Sequence, residues 1–264
     1  LRYFTLVNVL RMPPKICLLA LFSPGMIFSL ATCQVSPFSG LRSMEELNEL
    51  MERHLAREGS LTEEEWLARL PSQAEKDAVL AFLPYLLRER TLKNCDPRAL
   101  SLYPPLDKIM TLSPFMDTFC VLHEPLPPSP SSLFPRLFGY VVVRASSKDV
   151  KDLHHSSPHF ESDGAVHKQA AVLFEKTRSR SVVLSGSSRF SVRGRPSSSC
   201  QPGNTIADAA HDSSMMFHTF NSAIWEGVRN SVSSTFIQWH GMANTSCQLS
   251  TAFISLGAKG TSHI

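Results

Sequence analysis

Residues 140–184 read YVVVRASSKDVKDLHHSSPHFESDGAVHKQAAVLFEKTRSRSVVL, and the order of patterns in that stretch decides the fold. Two valine-rich runs, Tyr140-Val-Val-Val143 and Ser181-Val-Val-Leu184, flank an interval whose later part, Lys168 to Thr177, has helical spacing. Short β-branched runs predict buried strands, and a strand–helix–strand succession predicts an α/β layer. The alternation continues through a helix over Asp212 to Val228, a strand over Thr235 to Trp239 and a last strand over Thr251 to Leu256. Because parallel neighbours need a crossover between them, repeated alternation predicts a largely parallel sheet. Met216, Phe220, Ala223 and Ile224 recur at helical steps and read as core packing, not as a cofactor box.

Working outward, residues 43–90 read as helical. Ser43 with Glu46, Thr62 with Glu65 and Ser72 with Glu75 each have capping-box spacing, which predicts three helix starts. Leu47, Leu50, Met51 and Leu55, then Val79, Leu80, Leu83, Leu86 and Leu87, form apolar faces. Glu63, Glu64 and Glu65 suit a helix N-terminus, and His54 reads as structural or exposed. From His123 to Pro135 the proline density excludes regular helix and central strand, so residues 123–138 read as a linker or extended surface loop. The organisation expected is a leader over 1–31, a mostly helical region over 32–122, the proline-rich linker, and an α/β domain over 139–264.

The leader is read from Met12-Pro-Pro-Lys15, the apolar Ile16 to Phe22, the Ser-Pro-Gly break and the small residue Ala31. That anatomy is a secretory signal peptide, and Pro24-Gly25 interrupts the run too early for a stable membrane span. Cleavage removes Arg2, Arg11 and Lys15 and no acid, so a chain of formal charge +3 becomes neutral. Neutrality gives no electrostatic case for nucleic acid, and the arginines at 178, 180, 189, 193 and 195 lack interleaved aromatics. An oxidising compartment allows Cys95 to pair with Cys120 and Cys200 with Cys247, leaving Cys33, although free buried thiols fit the spacing equally. Asn244-Thr-Ser246 is a glycosylation acceptor consistent with export.

The chemistry gathers where strands end. His159 to Asp163, Gly186 to Arg189, and His240-Gly241 each occupy such a position, and open α/β sheets bind ligands beyond the carboxyl ends of their strands. His159, Asp163 and His240 supply two imidazoles and a carboxylate, the donor set of a catalytic zinc site with a position left for water. Water activated by such a metal needs a carboxylate to manage protons, and Glu161 and Asp208 are the candidates; either can instead orient a ligand imidazole. His211 suits oxyanion stabilisation or substrate binding, and Arg189 suits a substrate carboxylate. His154 and His155 read as loop residues. A serine hydrolase and a nucleotide enzyme are disfavoured, because Ser185-Gly-Ser-Ser188 is no nucleophile elbow and no phosphate-loop or dinucleotide glycine pattern occurs.

Leu153-His-His-Ser-Ser-Pro-His-Phe-Glu-Ser-Asp-Gly164, Ser185-Gly-Ser-Ser-Arg189, Ala207-Asp-Ala-Ala-His-Asp212 and Gln238-Trp-His-Gly241, in that order, resemble an uncharacterised group of secreted microbial and fungal proteins. That group is distantly similar to the zinc-carboxypeptidase-like and N-formylglutamate-amidohydrolase-like hydrolases. The resemblance covers roughly residues 139 to 257 and implies a phosphorylase/hydrolase-like α/β fold with hydrolysis of an amide or peptide bond in a small substrate. Two departures stand out: His167 where the group carries an acid, and Ser188 where it carries a histidine. A third is the absence of a late-strand glutamate before residue 264, consistent with a missing C-terminal portion. The expectation is therefore a secreted zinc-dependent amidohydrolase or peptidase, with a catalytically degenerate binding or structural protein on the same fold as its rival.

Overall fold

The computed structural model describes residues 36–88, 95–145 and 149–241. The leader, Cys33, the acceptor at Asn244, Cys247 and the strand expected over 251–256 lie outside the described residues. Helices α1 (Met44–Glu52), α2 (Glu63–Leu67) and α3 (Gln73–Arg88) begin where the three Ser/Thr-x-x-Glu pairs place them. At the second, Thr62 Oγ1 accepts from Glu65 N while Glu65 answers to Thr62 N; at the third, Ser72 and Glu75 repeat the exchange. These bonds satisfy first-turn N–H groups that have no acceptor within their own helix.

A 3₁₀ turn over Pro97–Leu102 and the short α4 (Leu106–Ile109) lead into a hairpin of β1 (Thr111–Phe115) and β2 (Phe119–His123). This hairpin departs from the mostly helical reading of the region. Pro114 hides β1 from pattern reading, yet β1 is an edge strand among the described ones, where a missing N–H removes no ladder bond. A disulfide joins Cys95 to Cys120 on β2, with Cα atoms 5.5 Å apart.

The proline-rich segment closes back on itself. The buried Glu124 carboxylate accepts from the backbone N–H of Arg136 at 2.7 Å and of Phe138 at 2.9 Å, while His54 O accepts from Phe134 N. Arg136 also grips the buried Glu75 through both carboxylate oxygens, tying this loop to the start of α3. The helical region and the sheet consequently share one apolar core, from Phe38 and Leu47 through Phe82 and Val121 to Val182 and Phe220.

β3 (Tyr140–Arg144), β4 (Lys151–Ser157), α5 (Val166–Lys176), β5 (Ser179–Leu184), α6 (Met216–Val228) and β6 (Thr235–Gln238) complete the described chain. Sheet order is β1-β2-β3-β5-β4-β6. The fold is mixed α/β, and the expectation of a largely parallel sheet needs correction: β1–β2, β2–β3 and β3–β5 are antiparallel, whereas β5–β4 and β4–β6 are parallel. The unforeseen hairpin supplies the β1–β2 pairing, and β3 runs against both of its neighbours. Helix α6 packs closely on α3, and a Cβ on Gly227 would stand 3.1 Å from Pro84 Cα, which is why glycine occupies that crossing.

β4 is the third strand that pattern reading missed. Its Lys-Asp-Leu-His-His-Ser-Ser sequence has no β-branched residue, and its histidines are buried in the sheet instead of lying in a loop. Trp239 Nε1 donates to His155 Nδ1 at 2.9 Å, so the proton of His155 sits on Nε2 and is given to Ser179 Oγ at 2.8 Å. Burial then holds the His155 pKa down to about 4. His154 bonds Ser181 Oγ and Asp152, and its ring stacks on Phe236. Both histidines are thus structural, bonding β4 laterally to its parallel neighbours.

Candidate metal centre

Strands β5, β4 and β6 run in one direction, so their carboxyl ends gather at one edge of the sheet. Past β4 the chain delivers His159 and Asp163; past β5, Arg189; past β6, His240 and Gly241. The loop before α6 brings Asp208 and His211 to the same place.

His159 is the hub. Its side chain is 2% exposed, with Nδ1 2.9 Å from Asp163 Oδ2 and Nε2 2.8 Å from Asp208 Oδ1. His240 Nδ1 lies 3.3 Å from His159 Nδ1 and 3.5 Å from Asp163 Oδ2. His211 Nδ1 approaches Asp208 Oδ1 to 3.0 Å without an aligned hydrogen bond. The result is an alternating row, His211, Asp208, His159, Asp163, His240, with both carboxylates buried and both terminal imidazoles about one-third exposed.

Charge follows from this packing. Burial disfavours a charged His159, but hydrogen bonds to Asp163 and Asp208 outweigh it and raise the imidazole above the ordinary histidine range. Burial likewise opposes charge on the two acids. Bonds led by His159 overcome it, holding Asp163 far below the usual carboxylate range and Asp208 at about 2. Asp163 also accepts from Arg189 Nη2 at 2.9 Å and from the Gly241 backbone N–H at 2.9 Å.

Each member of the set expected from sequence as metal ligands has an outer partner. Asp208 faces the second nitrogen of His159; Arg189 and the Gly241 N–H hold Asp163; Gln238 Oε1 stands 2.9 Å from His240 Nε2. An amide oxygen only accepts, so a neutral His240 carries its proton on Nε2 and keeps the Nδ1 lone pair facing His159 and Asp163. Gln238 stands in the quoted Gln238–Gly241 segment but received no role from sequence, because a glutamine two residues before a histidine does not announce a partner. One atom each from His159, Asp163 and His240 lie within 4.8 Å of one another, and so do those of His159, Asp208 and His211. These imidazole and carboxylate groups, buried at the centre and partly exposed at the two ends, can hold a metal ion.

Other expected residues lie elsewhere. Glu161 turns outward, its carboxylate bonded to Arg57 Nη1 at 2.9 Å and to Glu58 N at 3.3 Å. Arg189, expected to clamp a substrate carboxylate, instead gives Nη2 to Asp163 Oδ1. His167 is buried at the start of α5, where Nε2 contacts Ser157 O and Ser185 Oγ, and burial pushes its pKa down to about 3. Ser188 is buried and caps Phe190 N. Neither departure from the resembled group therefore stands among the clustered side chains. No family model, curated protein or solved structure matches the chain.

Proposed function

We propose that this chain is a metal-dependent hydrolase of amide or peptide bonds in small substrates, using one zinc ion held by His159, Asp163 and His240. One observation carries the reading: three donor atoms from two strand ends converge within 4.8 Å, and each donor residue has a partner that fixes it. The resemblance to zinc-carboxypeptidase-like and N-formylglutamate-amidohydrolase-like proteins supports the same chemistry, and the leader supports a secreted protein.

A bound zinc ion supplies Lewis acidity and lowers the pKa of water to about 7. The chain's own groups do the rest. Asp208 orients His159 through Nε2 and, with Glu161 turned away, is the carboxylate placed to manage protons. Arg189, through Nη2, holds the Asp163 carboxylate in place. His211, stacked beside His159 with ring centres 6.4 Å apart and partly open to solvent, is positioned to donate a hydrogen bond to a developing oxyanion.

The test is metal analysis of the purified full chain after zinc dialysis, with His159→Ala and His240→Ala alongside, followed by zinc-dependent hydrolysis of N-acyl amino acids and short peptides. Zinc in the wild type, lost in both variants, with turnover abolished by chelation is the expected outcome. Metal content unchanged in the variants removes the ligand assignment. Binding without turnover of any amide favours the non-catalytic rival.

A further inference from the structure

The row of alternating acids and imidazoles is nearly symmetric about His159, and its two halves differ in one respect. On the Nδ1 side every donor residue has an outer partner. On the Nε2 side, one nitrogen is left over. Asp208 has a side chain only 4% exposed, and its Oδ1 takes the contacts from His159, the Ala210 N–H and His211. His211 Nδ1 is itself buried, stands 3.0 Å from Asp208 Oδ1 and has no hydrogen-bond partner. A buried imidazole nitrogen without an aligned partner, beside a buried carboxylate, carries a desolvation cost that a cation between them removes.

We infer that the Nε2 face of His159 is a second divalent-cation position, with Asp208, His211 and His159 as ligands, so that one imidazole ring is shared between two ions. The inference rests on the reading of the Nδ1 face as the first metal position. The donor chemistry is the same on both sides: one carboxylate oxygen, one private imidazole and one nitrogen of the shared ring, all within 4.8 Å. Filling both positions displaces the proton from each nitrogen of His159 to solvent. Asp208 then changes from orienting the shared ring to ligating an ion.

Equilibrium dialysis of the full chain against buffered Zn2+, with metal and protein quantified, separates this inference from the one beneath it. Two ions per wild-type chain are expected, one in His211→Ala, one in His240→Ala, and none in His159→Ala. His211 lies at the partly exposed rim, so its substitution leaves the core intact, and thermal melting checks that it does. One ion per wild-type chain, retained in His211→Ala and lost in His240→Ala, overturns the second position and leaves the first standing; no bound ion overturns both. Loading with Cu2+ gives an independent reading. A shared ring couples two copper spins and diminishes their paramagnetic resonance intensity, whereas two full, uncoupled signals refute the shared ligand.

Discussion

Gly241→Ala is the sharpest probe of how the centre is built. A Cβ at this position would stand 2.5 Å from Asp163 O, 2.8 Å from Asp163 Cβ and 2.9 Å from Asp163 Cα. None of these atoms is the end of a flexible side chain. Reaching ordinary contact at 3.4 Å requires displacement of roughly 0.9 Å along the shortest line, by the His240-Gly241 segment or by Asp163. Either movement stretches the 2.9 Å bond from Gly241 N to Asp163 Oδ2 and separates His240 Nδ1 from the other two donors. Metal sites tolerate only about 0.2 Å of ligand misplacement. Loss of an outer partner alone lowers affinity about 10- to 100-fold, so zinc affinity should fall at least about tenfold, about 1.4 kcal/mol. Because residue 241 is exposed, global stability should change much less than a core overpacking would change it. Chelator-competition titration reads the affinity and thermal melting reads the fold. Wild-type zinc affinity in a well-folded Gly241→Ala protein would show that the close approach to Asp163 does not shape the centre.

Two further outcomes follow from charge. Metal-free His159 keeps its proton to higher pH than an ordinary histidine, so zinc binding there should release protons, and affinity should rise with pH until the raised pKa is passed. Calorimetry near pH 7 in buffers of different ionisation enthalpy measures this; an observed heat independent of buffer would refute the buried imidazolium. The stability that this imidazolium gives the metal-free fold is complete below its unfolded pKa and lost as pH rises through the raised folded value. At Glu124, burial outweighs the N–H donors of Arg136 and Phe138 and pushes the pKa from 4.5 up to about 7. The folded state then holds this proton more tightly than the unfolded chain, so the group lowers stability as pH rises between those values, by about 1.4 kcal/mol per unit at most. Glu124→Gln should flatten that slope in denaturant titrations at successive pH values, and superimposable slopes for the two proteins would exclude the assignment.

How much of the fold was readable depended on where each residue's bonding partner lay. The helix starts at Ser43, Thr62 and Ser72 were legible because each partner is three residues away. β3, β5 and β6 were legible because valine, isoleucine and phenylalanine announce a strand, one that is buried at β3 and β5 and mostly exposed at β6. β1 and β4 were not: Pro114 argues against a strand until its edge position is known, and His154 and His155 argue for polarity until Ser181, Ser179 and Trp239 are found beside them. Likewise, the proline-rich loop looks like a spacer in sequence because the carboxylate that closes it, Glu124, bonds atoms 12 and 14 residues away.

The expected largely parallel sheet does not hold across the described strands, but it does hold for the three beside the clustered histidines and aspartates. β5, β4 and β6 share a direction, so reasoning that places ligands beyond the carboxyl ends of parallel strands applies to these three whatever the hairpin does at the far side. That is why His159, Asp163 and His240 converge although 77 residues separate the last two. Glu161 shows the limit of the same reasoning. It lies between His159 and Asp163, but its left-handed backbone, φ 65°, sends the side chain to Arg57 while its neighbours face inward. Strand ends therefore decide which segments meet. Single backbone angles inside those segments decide which side chains take part, and a sequence does not display them.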